Sequence, residues 1–479
     1  MGRMADSKIT EIENLPVQLA IRLVLDDISY SNPLPSWFDA ITIDYSLREL
    51  AIHQKLREFA NRPVASKPFS ILVPKKSGQK RSWPVPSVNE QIMLQACVSS
   101  FAGKLDADVL DARVFSYRYN RQEDLLGLVE DQLTAWTRFQ DETKRRCEDS
   151  QCILQIDLQN AFQSIDRRQF YKFLSRFTTQ PVLDLLRTLM EALSVEPGIP
   201  LLNNSVFFLG NAYMATVDAI VRESTPEFAR FVDDYRIFDS SSERLEKILR
   251  NITVELGKAG YQVNPSKLRL GSGQEYLDSV SRLKYKPDTD AMGYVRPTVL
   301  RDLMRREDIV KTISMSVSEP DKYLNEGFGR FQLAVIRKFR FNESVAQIVK
   351  QIVGEEDLDI EEKEGQGPST LGRLFAENRE LINRMIERLQ KYSQDPSEVW
   401  RTVWLLYVLK IVDIEHLTKV DADTALRLDN ITSTVESSAA GILARLWASA
   451  KAGTVVTGEN VENLHDLGYM ESGMLYCKG

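Results

Sequence analysis

The stretch FARFVDDYRIF, residues 228–238, sets two adjacent acids, Asp233 and Asp234, in a run that otherwise reads as a buried strand. Burying an unpaired carboxylate costs far more than burying a hydroxyl or an amide. The pair therefore requires a turn, a partner or a metal ion. Just downstream, Leu245, Ile248, Leu249, Ile252 and Leu256 recur at helical intervals. Ser240 and Glu243 have the spacing of a capping box, and Gly260 closes the helix. YQVNPSKLRL then returns as a strand and a turn containing Lys267.

Upstream, QCILQIDLQNAFQSID reads as a strand from Cys152 to about Leu158, followed by a turn and a helix starting near Arg167. Asp157 interrupts Ile153, Leu154 and Ile156, and reads either as a metal ligand at the mouth of a fold or as a plain helix N-cap acid. Between about residues 181 and 222, two helical stretches flank the turn EPGIP, and the second carries the packing residues Phe207, Phe208, Leu209, Tyr213 and Met214. This order of elements predicts an α+β sheet with helices on one face rather than a regular βαβ series. Asp157 can meet Asp233 and Asp234 only if their strands are neighbours in that sheet.

Further toward the N-terminus, FSILV is strand-like and KKSGQKR is a turn carrying Lys75, Lys76, Lys80 and Arg81 around one glycine. It reads as a solvated loop or as a hairpin that delivers cations to phosphates. A helix follows, with Asn89 as a candidate cap. Residues 300–479 change character to a succession of helix-like segments, broken by a linker with seven acids between residues 355 and 364.

The chain has 479 residues, 43% of them hydrophobic and 27% charged, which suits a globular protein with a developed core. Cys97, Cys147, Cys152 and Cys477 show no CxxC spacing, and His53, His416 and His465 lie far apart, so neither structural zinc nor a disulfide framework is expected. With no signal-like apolar core and no run of membrane-spanning length, the expected location is the cytoplasm, without membrane contact. A formal charge of −7 argues against a surface basic all over, but not against a local basic channel.

Carboxylates that converge at the ends of adjacent strands repel one another unless a cation lies between them. Mg²⁺ takes oxygen ligands and is usually completed by substrate phosphates and water. Two such ions can clamp the attacking and leaving oxygens of a phosphoryl transfer. That chemistry makes Asp157 and Asp233 the natural ligands.

Together these segments resemble the fingers and palm of reverse transcriptases over roughly residues 68–280. FVDD is similar to that family's aromatic-x-Asp-Asp hairpin, and IDLQNAFQSID to its first palm motif. VPKKSGQKRSW resembles the fingers hairpin, VFSYRYN the stretch before the palm in bacterial members, and GIPLLNNSVFFLGNAYMATVD the template-supporting motif. The resemblance implies a right-hand polymerase: N-terminal segment and fingers over 1–150, palm over 151–290, and a mainly helical region over 300–479. It implies that Asp157, Asp233 and Asp234 form the catalytic and metal-binding set for Mg²⁺, with Asp234 in support. It also implies that Lys75 or Lys76 with Arg81 holds a dNTP triphosphate, that Phe162 is the steric gate against a 2′-hydroxyl, and that Lys267 sits near the leaving pyrophosphate. Arg118 and Asn211 would support the site or template.

Two positions depart from the family pattern. Leu201-Leu202 stands where Gln-Gly is usual, and Val206-Phe207 where Ser-Pro is common, which removes hydrogen-bonding groups near the nascent base pair. The helical extension resembles that of bacterial abortive-infection and defence-associated members. The expected function is therefore RNA-directed or template-independent DNA synthesis in antiviral defence, with a dedicated noncoding RNA or a second copy of the chain as partner. The alternatives are a general mobile-element or repair reverse transcriptase, and an RNA-binding oligomeric scaffold with a degenerate polymerase core.

Overall fold

A computed structural model of the chain describes residues 10–30, 45–61, 69–74, 80–86, 88–121, 127–194, 197–282, 387, 390–391 and 395. Lys75 and Lys76 lie outside the described residues, and Arg81 is described only as backbone. The helical reading of residues 300–479 falls outside them as well, apart from the four isolated positions from 387 to 395. No helix among the described residues is long and apolar enough to cross a membrane.

In chain order the elements are α1 (Val17–Tyr30), α2 (Tyr45–Asn61), β1 (Phe69–Pro74), β2 (Lys80–Val85), α3 (Val88–Ser99), α4 (Ala102–Val109) and α5 (Gln132–Asp149). Then come β3 (Cys152–Asp157), α6 (Arg167–Leu174), α7 (Gln180–Leu193), α8 (Asn204–Tyr213), α9 (Ala215–Ser224), β4 (Phe228–Phe231), β5 (Asp234–Asp239), α10 (Ser242–Lys258), β6 (Arg269–Ser272) and α11 (Gly273–Arg282). The chain divides into two compact units, one of Met1–Asp27, Ile43–Pro68 and Pro84–Val295, the other of Ile28–Thr42, Phe69–Trp83 and Arg296–Gly479. β1 and β2 form a two-stranded sheet of their own.

The first unit is built on an antiparallel sheet ordered β4–β5–β3–β6. In β3 and β5 consecutive apolar residues, Ile153-Leu154 and Ile237-Phe238, point to opposite faces, so both faces must be covered. Ile153, Ala229, Phe231 and Phe238 pack with Ala135, Phe139 and Cys147 of α5 on one face. The opposite face carries Arg230 and Tyr235, which bond to Asp218 of α9. Helices therefore cover both faces, not one. Burying each large apolar side chain of this core contributes about 1.5–3 kcal/mol.

Side-chain caps set four of the helix starts. Asp131, Asp166, Asn203 and Ser241 each accept a hydrogen bond from the backbone N–H three residues on. Two expected caps are corrected. Asn89 lies inside α3, which begins at Val88, and α10 is capped by Ser241 rather than Ser240, because Asp239 Oδ1 accepts from Ser241 N at 3.0 Å and turns the chain there. The region 181–222 holds three helices, since the stretch after EPGIP breaks at Met214 into α8 and α9.

Candidate active site

The β4–β5 hairpin leaves two residues, Val232 and Asp233, between the paired Phe231 and Asp234. Val232 has φ 56°, a left-handed conformation that a β-branched residue adopts only under constraint. Positive φ at the first turn residue only is the sign pattern of a II′ hairpin turn, where glycine is the usual occupant. Holding valine there costs on the order of 1–3 kcal/mol. The surrounding structure supplies the constraint: Val232 N donates to Ser116 Oγ at 2.7 Å, and Arg230 Nη1 donates to Val232 O at 2.9 Å.

Arg230 is fully buried within β4. Its guanidinium donates to both carboxylate oxygens of Asp218 at 2.7 and 2.8 Å and to Asn211 Oδ1 at 2.6 Å. Tyr235 Oη donates to the same carboxylate at 2.8 Å. Asn211, also buried, donates from Nδ2 to Ser116 O at 2.7 Å and accepts from Ser116 Oγ at 3.1 Å. A polar network on the inner face of the sheet thus fastens the turn that carries Asp233. Arg230, Asp218 and Ser116 were missed by the reading of the sequence. The signal was present, because an arginine inside FARF needs a buried acid.

Asp157 and Asp234 are directly paired in the β3–β5 register, so they share one face at the same end of the sheet. Leu158 N donates to Asp233 O at 3.1 Å and ties the turn to the end of β3. Asp157 is not a helix cap, since α6 is capped by Asp166. Its Oδ1 accepts from Asn264 Nδ2 at 3.0 Å and its Oδ2 from Lys267 Nζ at 2.8 Å. Lys267 is 63% exposed, and an ion pair with so exposed a partner is weak and easily exchanged. Asp234 is held by Arg236, whose guanidinium also lies over the Phe139 ring.

Burial, with the neighbouring Asp157 and Asp234 carboxylates, pushes Asp233 up to about 7. Burial pushes Asp234 up to about 6 against the opposing pull of Arg236. Both shifts arise first from burial, with repulsion between the carboxylates adding to it. Among the described residues no group of three or more His, Cys, Asp or Glu side chains is arranged to hold a metal ion. The chemistry of the donor set nevertheless fits a hard divalent cation: clustered carboxylate oxygens, raised pKa values, and one carboxylate countered only by an exposed lysine.

Phe162 is buried, with its ring 6.0 Å from that of Phe207. Gly210 of α8 leaves room for it, because a Cβ there would fall 3.0 Å from the Phe162 ring and 2.8 Å from Ile199 Cδ1. Gly198, at φ +77°, likewise admits the backbone of Phe162 and Gln163. Gly210→Ala is therefore expected to cost about 1–3 kcal/mol through overpacking, read as a lower Tm. An unchanged Tm would show that Ile199 and Phe162 can give way. Arg118 is not a surface ion pair: it grips the buried Asp106 at 2.8 and 3.1 Å and caps the carbonyls of Leu110, Asp111 and Val114. The structure thus brings Asp157, Asp233, Asp234 and Lys267 to one place, and ties Asn211 to their support.

Residues 73–294 match the family described as "Reverse transcriptase (RNA-dependent DNA polymerase)". Comparison with curated proteins finds no match. Among solved structures the chain is similar to apo telomerase from Candida tropicalis, at 11% identity and a TM-score of 0.33, over 78% of this chain and 70% of that one. With the family match lying over the carboxylate-bearing hairpin and its paired strand, residues 73–294 of this chain carry a reverse-transcriptase domain.

Proposed function

We propose that the protein is a DNA polymerase of reverse-transcriptase type, RNA-directed or template-independent, that adds dNTPs to a 3′-hydroxyl. The observation that carries this reading is the Asp157–Asp234 register beside a constrained turn presenting Asp233, within a domain of matching family. In each step the 3′-hydroxyl gives up its proton to solvent as its oxygen forms a bond to the α-phosphorus, the bond from that phosphorus to the bridging oxygen breaks, and pyrophosphate leaves. Magnesium ions, when bound, lower the pKa of the hydroxyl and offset charge on the attacking and leaving oxygens.

Asp157 and Asp233 would hold the metal, with Asp234, anchored by Arg236, as the supporting carboxylate. Lys267, 63% exposed, would leave Asp157 and meet the departing pyrophosphate, a role suited to an ammonium that carries three donors. Lys75 or Lys76 with Arg81 would hold the triphosphate. Phe162 would form the floor under the sugar, so Phe162→Ala is expected to relax the preference for dNTPs over rNTPs by about tenfold or more, given that a lost steric contact is worth roughly 1–3 kcal/mol. Competing single-nucleotide incorporations measure this, and an unchanged ratio removes Phe162 from the gate.

The sequence of residues 300–479, read as a helical extension, resembles that of defence-associated members, which supports antiviral defence as the setting and a dedicated noncoding RNA or a second copy as partner. The deciding experiment is incorporation of each labelled dNTP, singly and mixed, by protein isolated with and without co-purifying nucleic acid. Incorporation that requires bound RNA supports a dedicated template; incorporation without it supports untemplated addition. No extension in either preparation, even with primed templates supplied, replaces the polymerase by a nucleic-acid-binding scaffold.

A further inference from the structure

Helices α6 and α7 border an open cleft of about 550 Å³ that the chemistry above does not use. Four cations line it, Arg167, Arg168, Lys172 and Arg187, against one carboxylate, Glu191. Six arginines elsewhere in the domain, Arg113, Arg118, Arg146, Arg222, Arg230 and Arg236, each lie within ion-pair distance of an acid, whereas the scattered Arg22, Arg176, Arg250 and Arg269 do not among the described residues. Around the cleft, Arg168, Lys172 and Arg187 form no ion pair among the described residues. Arg168 and Lys172 are also an i,i+4 pair of like charge, an arrangement that destabilises a helix unless an anion offsets it.

Arg187 adds a second kind of observation. The residue lines the cleft, and its Nε is buried with no hydrogen-bond acceptor. A buried donor without an acceptor is costly, and a bound oxyanion would relieve it. Guanidinium groups suit phosphate in particular, through paired N–H donors. Bases are not what the cleft offers to hold: the one aromatic side chain lining it, Tyr171, is buried, with the Arg187 guanidinium 5.2 Å from its ring centroid, leaving no open stacking platform. Arg168 and Lys172 stand one helical turn apart, with Cβ atoms about 5–6 Å from each other, which suits successive phosphates of a strand better than the adjacent phosphates of a nucleotide. The cleft also adjoins the candidate active site through Arg167, whose Nε donates to Gly198 O, next to Ile199, whose N–H donates to Phe162 O at 3.0 Å.

We propose that the α6–α7 cleft is a second nucleic-acid contact, which grips the phosphodiester backbone of a single strand outside the polymerising centre and without regard to sequence. The proposal rests on the nucleic-acid reading of the domain, but not on its catalytic activity. Its test uses the full-length protein and the double substitution Arg168→Gln/Lys172→Gln, both at exposed positions. Binding of a labelled, mixed-sequence single-stranded RNA, and of the matching DNA, is measured between about 50 and 200 mM salt.

The double variant is expected to bind about tenfold more weakly, with a salt slope shallower by roughly 1.4, two phosphate contacts at about 0.7 each. Its Tm should equal or slightly exceed that of the wild type, as the like-charge pair is gone, and its incorporation on a short primed template should match the wild type. Wild-type affinity and slope in the variant overturn the proposal. Weaker binding with an unchanged slope also overturns it, because the loss would not come from phosphate neutralisation. Displacement of the RNA by equimolar inorganic tripolyphosphate assigns the cleft to a small polyanion instead. A wild-type protein that binds neither strand removes this proposal together with the nucleic-acid reading, whereas binding without incorporation leaves the cleft intact and removes only the polymerase.

Discussion

Asp233→Asn is expected to abolish dNTP incorporation while raising the melting temperature of the metal-free protein. The two effects have one origin. Asp233 sits at the tip of a constrained turn, half-buried, close to two other carboxylates, and its pKa is lifted to about 7. An acid whose folded pKa lies above its unfolded value favours folding while it is protonated. That contribution is fully present below the unfolded pKa and is lost as pH rises through the folded one. Above about pH 7 the wild-type site therefore holds charge at a cost, which a neutral amide of the same shape removes. After allowance for solvent screening at a half-buried position, the gain is about 1–3 kcal/mol. For a domain of this size it corresponds to roughly 2–4 °C per kcal/mol.

Thermal scans in chelator, at about pH 5 and about pH 8, isolate the effect as the difference between wild type and variant, which should widen with pH. Added Mg²⁺ should raise the Tm of the wild type more than that of the variant, since a ligand stabilises only the state that binds it. Incorporation should fall by more than about 100-fold, because even outer-shell partners of a metal site cost 10–100-fold when replaced. A variant that still incorporates nucleotides removes Asp233 from the chemistry. One that melts below the wild type at high pH shows that the carboxylate is already compensated.

Arg230→Met and Asp218→Asn should each destabilise the domain by about 3–5 kcal/mol, because each leaves its buried partner charge without compensation. Asp218 is 3% exposed and Arg230 not at all, so water cannot take over the missing partner. The combined Arg230→Met/Asp218→Asn replacement should cost less than the sum of the two, since it leaves no orphaned charge. Activity should fall in all three even at temperatures where the protein is folded. Arg230 holds the carbonyl of Val232, and a turn freed from that grip relaxes out of the left-handed conformation that sets Asp233. Denaturant melts with a double-mutant cycle, and kcat measured well below each Tm, test the two halves of the argument separately. Full activity in folded single variants would mean that Ser116 alone suffices to hold the turn.

What the sequence determined by itself was local or carried by pattern. Two acids in an apolar run required a turn, a helix-period run after them required a helix, and Asp157 at the end of ILQID marked a strand terminus. The order and spacing of these pieces made the reverse-transcriptase domain legible. Tertiary structure decided what depends on partners distant in the chain. Register placed Asp157 opposite Asp234, a contact between residues 77 positions apart that no local propensity encodes. Lys267 on Asp157, Asp218 beneath Arg230 and Ser116 behind Val232 became visible only when separate segments were packed together. The same holds for Arg118: VFSYRYN does not show which acid its cation meets, and the fold closes it over Asp106. Local sequence fixes which conformations are cheap, but a buried charge is stabilised only by the particular group that meets it, and the identity of that group is a property of the packed chain.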